Sequence, residues 1–275
     1  MTKICLILTV LLCMSCPLPA QEQVTARWND PSRPGLLKVN WVMGSITVRM
    51  HAGNDVIVQT KNNRNGLDDR IVRRPAPPDT AGLRRIDSGA APVTIDSDAN
   101  NVMTITGGGI LPGFGDLEIA VPVKTNLNLQ TVNGRTISVD GVEGDIEVTA
   151  VNGSVNLTNI VGSVVAHSMN GKVVVSFQNI AAGKPMSFTS MNGNVDVTLP
   201  AASKANLKMR TRNGGIYTDF DLQMTPASAP ASPPQDQTGL RRIQVEKNVS
   251  GTINGGGAEF DLRSQNGNIY LRKAK

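Results

Sequence analysis

Apolar and polar residues alternate with a period of two along most of this chain, and the alternation restarts at glycines. Gly144-Asp145-Ile146-Glu147-Val148, Gly153-Ser154-Val155-Asn156-Leu157, Gly162-Ser163-Val164-Val165-Ala166 and Gly171-Lys172-Val173-Val174-Val175 share one pattern. Each reads glycine, any residue, Ile or Val, any residue, apolar, and successive glycines fall nine residues apart. The phrase returns at Gly44-Ser45-Ile46-Thr47-Val48, Gly193-Asn194-Val195-Asp196-Val197 and Gly267-Asn268-Ile269-Tyr270-Leu271. Period-two alternation between turn residues predicts strands with one buried face. Its return at fixed spacing predicts stacked units.

Asn-Gly pairs mark every second step, at Asn133-Gly134, Asn152-Gly153, Asn170-Gly171, Asn192-Gly193 and Asn213-Gly214. Between them the other turn falls at Gly141 to Gly144, Val161-Gly162 and Ala182-Gly183. One unit is therefore about 18–22 residues, with two strands and two corners built on residues that tolerate positive φ. Asn-Gly is also the strongest hairpin signal, so an antiparallel meander or β-sandwich is the alternative. The pairs Ile146/Val164, Val148/Ala166, Val155/Val173 and Leu157/Val175 share one register, which a meander does not need. The fold expected is all-β, a single β-solenoid or β-helix-like stack of two-strand coils. Two stretches break the pattern, at about 61–90 and 224–242, and read as long excursions. No helix is evident.

Residues 1–20 have the form of a signal peptide: Lys3, an apolar run from Ile4 to Cys13, and Ala20 before the cut. That run is shorter than the roughly 20 residues a membrane-spanning helix needs. Lipidation at Cys16 is the alternative, although Cys13 stands where a lipobox normally has leucine. All three cysteines lie in this segment. A chain cut after Ala20 holds no disulfide and no thiolate metal site. Residues 21–275 are expected to form one domain without a transmembrane span. The formal charge of +5, with acidic residues interspersed, is not a nucleic-acid footprint.

The chain resembles the bacterial putative-adhesin β-strand-repeat family, a domain of unknown function found in exported proteins. The resemblance rests on Asn-Gly followed by [IV]-x-[VL] and on the opening run from Val39 to Val48, VNWVMGSITV. It rests also on the closing Gly251-Thr252-Ile253-Asn254-Gly255-Gly256-Gly257 with the last strands, Phe260-Asp261-Leu262 and Asn266 to Leu271. It implies an extracytoplasmic β-solenoid and supplies no catalytic residues.

Little catalytic chemistry is visible. His51 and His167 are far apart and have no His or Cys partner in sequence, so no metal or other cofactor is expected. The glycine triplets at 107–109 and 255–257 lack the Lys-Ser/Thr of a phosphate loop. Asp145 and its like lack the calcium β-roll repeat. Asp196 with Lys172 or Arg210 could serve a polysaccharide-cleaving β-helix, on fold analogy alone. With 3% aromatics, Tyr217, Tyr270 and Trp41 form no stripe in the sequence. Arg84 and Arg85 in one GLRRI phrase, with Arg241 and Arg242 in the other, form a candidate patch for an anionic partner.

These readings predict an exported, non-enzymatic, adhesin-like interaction module, located in the periplasm, at the cell surface or secreted. Its expected partner is an anionic envelope polymer or another envelope protein, and not nucleic acid. The alternatives are a carbohydrate-active parallel β-helix enzyme and an envelope scaffold or sensor component.

Overall fold

The computed structural model describes residues 23–61, 93–107, 115–225 and 247–275. The expected signal segment with Cys16, and all but the first residues of both excursions (61 and 224–225), lie outside the described residues. In chain order the strands begin with β1 (Gln23–Arg27), β2 (Gly35–Met43), β3 (Ile46–His51), β4 (Asp55–Lys61) and β5 (Val93–Ser97). They continue with β6 (Val102–Gly107), β7 (Asp116–Pro122), β8 (Thr125–Asn133), β9 (Thr136–Asp140) and β10 (Glu143–Ala150). Then come β11 (Ser154–Ser168), β12 (Val173–Ile180), β13 (Met186–Ser190), β14 (Val195–Leu199) and β15 (Ala205–Asn213). The last are β16 (Ile216–Thr218), β17 (Gln223–Met224), β18 (Lys247–Ile253), β19 (Ala258–Asn266) and β20 (Ile269–Lys273). Among the described residues there is no helix.

The strands wind as a solenoid with two faces. The first face runs β5, β6, β2, β8, β10, residues 161–168 of β11, β13, β19, β15, β18 and β17. The second runs β1, β4, β7, β3, β9, residues 154–158 of β11, β12, β14, β20 and β16. Inner pairings are parallel, which excludes the meander alternative. Those made by β5, β4, β1, β18 and β17 at the ends are antiparallel. All four pairs expected from the spacing are register partners: Ile146/Val164, Val148/Ala166, Val155/Val173 and Leu157/Val175.

The order of coils departs from the order of the chain at both ends. The coil β2/β3 lies between β6/β7 and β8/β9. The last coil in sequence, β19/β20, lies between β13/β14 and β15/β16. Neither the first nor the last parallel coil of the stack is the first or last coil in sequence. A parallel ladder bonds backbone to backbone and accepts any coil of matching length, so a chain can return into a gap of the right width.

Inward positions form one apolar column per residue of the strand, because side chains two apart share a face. Strand β14 alternates between buried Val195, Val197 and Leu199 and half-buried Asp196 and Thr198. In the core Phe188 stacks on Phe260 at 6.0 Å, and Phe177 meets Phe188 edge-on at 6.2 Å. Offset and edge contacts of this kind favour ring packing beyond area alone.

The Asn-Gly corner explains its own composition. A Cβ on Gly171 would sit 2.2 Å from the Gly153 carbonyl oxygen, and one on Gly193 2.3 Å from that of Gly171. Only glycine lets successive coils approach that closely. Beside this column the asparagine side chains hydrogen-bond in series. Asn152 Nδ2 donates to Asn133 Oδ1 (2.9 Å), Asn170 to Asn152, Asn192 to Asn170, Asn266 to Asn192 and Asn213 to Asn266 (2.8 Å each). Just inside, the Ser168, Ser190, Ser264 and Thr211 hydroxyls donate to glycine carbonyls of neighbouring coils. Buried polar groups are thus satisfied by repetition. Thr131 Oγ1 is buried without a partner. At the opposite corner β11 continues from one face to the other. Asn159 takes φ 55° there and donates to Asp140 Oδ1 at 2.8 Å.

Candidate interaction surface

The most distinctive outward group lies on the second face at the end formed by the β15/β16 coil. The register places Asp196, Tyr270 and Tyr217 in one column, pointing out of successive coils. Tyr217 stacks on Tyr270 with centroids 5.3 Å apart and planes 16° apart. Arg272, two residues beyond Tyr270 and so on the same side, lays its guanidinium over the Tyr270 ring at 5.0 Å. Its Nε donates to both Asp196 carboxylate oxygens, at 2.9 and 3.2 Å. Asp196 thereby raises the Arg272 pKa above its ordinary value, chiefly through the hydrogen bond and then through charge.

The residues around the rings hold them in place. Asn268 Nδ2 donates to the Tyr270 hydroxyl (2.9 Å), and Asn268 Oδ1 accepts from the Gly215 N–H (2.8 Å). Gly215 is where Tyr217 rests: a Cβ there would lie 2.5 Å from the tyrosine hydroxyl oxygen and 2.6 Å from its ring. Tyr217 is 55% exposed. Strand β16 pairs with β20 on one side, and no other described strand pairs with it. The result is an exposed aromatic ring packed on Tyr270 and Gly215 at the end of a face, with the neighbouring Arg272 paired to a carboxylate.

A second outward feature runs along the first face beside the asparagine series. Val42, Val132, Val151, Met169 and Met191 occupy one register position in successive coils. All but Val151 are large apolar residues with more than a third of their surface exposed. Around them are the uncharged side chains of Gln130, Thr149 and Thr189, with His167 in the same register position. Farther along, the Lys184 Nζ donates to both Asp145 oxygens at 2.8 Å. With the Ser163 hydroxyl, that bond lowers the Asp145 pKa. Asp140 is lowered by hydrogen bonds from Thr158 and Asn159.

The residues singled out from sequence fall differently. Arg84, Arg85, Arg241 and Arg242 lie outside the described residues. Asp196 pairs with Arg272 and not with Lys172 or Arg210. Arg210 is on the first face, 3.7 Å from Asp261. His51 is occupied at both nitrogens: Nδ1 accepts from the Gly53 N–H (3.0 Å) and Nε2 meets the Asp55 carbonyl (2.6 Å). Among the described residues no group of three His, Cys, Asp or Glu could hold a metal ion. The expectation that the tyrosines form no stripe is corrected, since Tyr217 and Tyr270 stack. Trp41 is buried and donates its indole N–H to the Gly115 carbonyl at 2.7 Å. A signal for the pair was present. Asn213-Gly214-Gly215-Ile216-Tyr217 and Asn266-Gly267-Asn268-Ile269-Tyr270 share the phrase Asn-Gly-x-Ile-Tyr.

Comparison with known proteins adds a family. The family model Toastrack DUF4097 matches residues 115–272. Among solved structures, the chain is similar to a putative cell adhesion protein from Clostridium sporogenes. That likeness has a TM-score of 0.44 and 10% identity over 92% of this chain and 100% of the other. It is similar also to a putative adhesin from Bacteroides fragilis, with TM-score 0.25 and 9% identity over 93% of this chain and 99% of that one. No curated protein matches the chain.

Proposed function

The chain belongs to the Toastrack DUF4097 family, and from that footing we propose that it is an exported, non-enzymatic interaction module working at the cell envelope. The observation that carries this reading is the Tyr217–Tyr270 stack braced by Arg272 and Asp196. Rigid, exposed tyrosine supplies contact area at small entropic cost, which suits binding. The same braces suit binding better than turnover, because Asp196 is committed to Arg272. The signal-like segment at 1–20 supports export. The chain's sequence resemblance to the exported putative-adhesin β-strand-repeat family supports an envelope partner.

Two measurements test it. Protein recovered from its own cells is expected to begin at Gln21 by mass spectrometry, and an intact Met1 overturns export. Purified protein is expected to be retained on isolated envelope fractions. Replacing Tyr217 and Tyr270 together with alanine is expected to release most of it, and undiminished retention removes the tyrosine stack from the interaction.

A further inference from the structure

Resting on the envelope-binding reading above, we propose that the open end of the second face binds an N-acetylated hexosamine unit of a glycan. The pyranose ring lies on Tyr217, and its acetamido group pairs with the backbone edge of β16.

The backbone argument comes first. The Gly215 carbonyl accepts from the Ile269 N–H (2.9 Å), and the Asp219 N–H donates to the Leu271 carbonyl (3.4 Å). Odd-numbered residues here therefore face β20. In a parallel strand the intervening residues turn their N–H and C=O to the other side. Ile216 and Thr218 thus direct one donor and one acceptor each toward an edge that no described strand covers. Unpaired edge groups of this kind seek complementary partners. An acetamido group carries one N–H and one C=O, the same pair of functions as a peptide unit.

The side chains select a sugar over the other partners such an edge could take. Strand β16 is three residues long, about 10 Å of edge. That is shorter than the usual strand of about five or six residues, so an added peptide strand would be held by few bonds. A polyanion finds no free charge in this cluster, because Arg272 is neutralised by Asp196. What remains is a flat, exposed ring with an electron-rich face, which the C–H face of a pyranose fits. Tyr270 behind Tyr217 and Gly215 beneath it keep that ring in place before any ligand arrives, which lowers the cost of binding.

The test is calorimetric titration of the whole chain with a β-1,4-linked N-acetylglucosamine tetramer. The glucose tetramer of the same linkage and an extended hexapeptide serve as comparisons. The acetylated tetramer is expected to bind, and the glucose tetramer more weakly. Tyr217→Ala and Gly215→Ala, the latter displacing the ring, are expected to weaken binding at least about tenfold, or about 1.4 kcal/mol. Tyr217→Phe is expected to retain it. Circular dichroism and melting of each variant confirm that the fold is kept. Any one of several results overturns the proposal: no binding of the acetylated tetramer, equal binding of both tetramers, binding indifferent to Tyr217→Ala, or binding of the hexapeptide in its place. If envelope retention persists while the tetramer fails to bind, this inference falls and the interaction-module reading stands. If neither binds, both fall.

Discussion

The two ends of the solenoid close in different ways. At the β6/β7 end both faces are covered: β5 lies antiparallel on β6, β4 lies antiparallel on β7, and β1 covers β4. At the β15/β16 end the first face is covered by β18 and β17, also antiparallel, while β16 has a described partner on its inner side alone. Three of the four outermost coil strands, β6, β7 and β15, thus carry an antiparallel strand on their outer edge, and β16 among the described strands does not. Where that covering stops, the tyrosine column surfaces.

The difference can be broken most forcefully from the middle, where every strand has neighbours on both sides. Val155 is fully buried between two coils. Val155→Asp sets an unpaired charge there, costing at least about 3–5 kcal/mol out of the roughly 5–15 kcal/mol that hold a domain folded. The expected outcome is insoluble protein or loss of the β signal in circular dichroism. A well-folded variant would mean that the inward face is not where we place it.

The glycine column offers a more graded comparison. Gly171→Ala drives a Cβ into the Gly153 carbonyl with coils packed on both sides, and about 1–3 kcal/mol of destabilisation is expected. Gly214→Ala meets the Gly267 carbonyl at a similar 2.1 Å, but its coil is the last parallel one and has no further described coil packed beyond its corner. Its loss in a denaturant titration should be the smaller of the two. Equal losses would mean that the end is as constrained as the middle.

Asn170 both donates and accepts in the asparagine series, whereas Asn213 at the end of it donates once. At about 0.5–1.5 kcal/mol per net hydrogen bond, Asn170→Ala should cost more than Asn213→Ala in a urea titration.

Acid acts on the middle as well. Hydrogen bonds hold Asp140 and Asp145 below the ordinary carboxylate value of 3.8. A lowered pKa means that the unfolded chain takes up the proton first as pH falls. The stability these groups contribute is therefore complete above that value and is lost as the pH falls through the lower folded-state values. Asp145→Asn should flatten the fall in melting temperature below pH 4 without altering its form near neutrality. An unchanged acid slope would remove Asp145 from that transition.

The smallest effect on stability is expected at the open end. Tyr217→Ala removes an exposed ring and should change stability by no more than about 0.5 kcal/mol. A large loss would make the stack a structural cap.

Much of this was readable in the chain. The nine-residue step located the corners, and period-two alternation separated inward Val155, Leu157, Val173 and Val175 from their outward neighbours. The shared register separated a solenoid from a meander. These are local properties, fixed by how a pleated strand points its side chains and by which residues turn a tight corner. The identity of each coil's neighbours was not readable. Parallel ladders are made by backbone groups that every residue carries, so nothing in the spacing announces that β19/β20 enters between β13/β14 and β15/β16. The candidate site depends on that insertion. Tyr217 and Tyr270 repeat the phrase Asn-Gly-x-Ile-Tyr in the sequence, yet only the tertiary structure makes them adjacent coils, and only the uncovered edge of β16 leaves Tyr217 outermost. Sequence alone determined the unit and its inward face. The order of the units, and the point at which the stack stops, were decided by long-range packing.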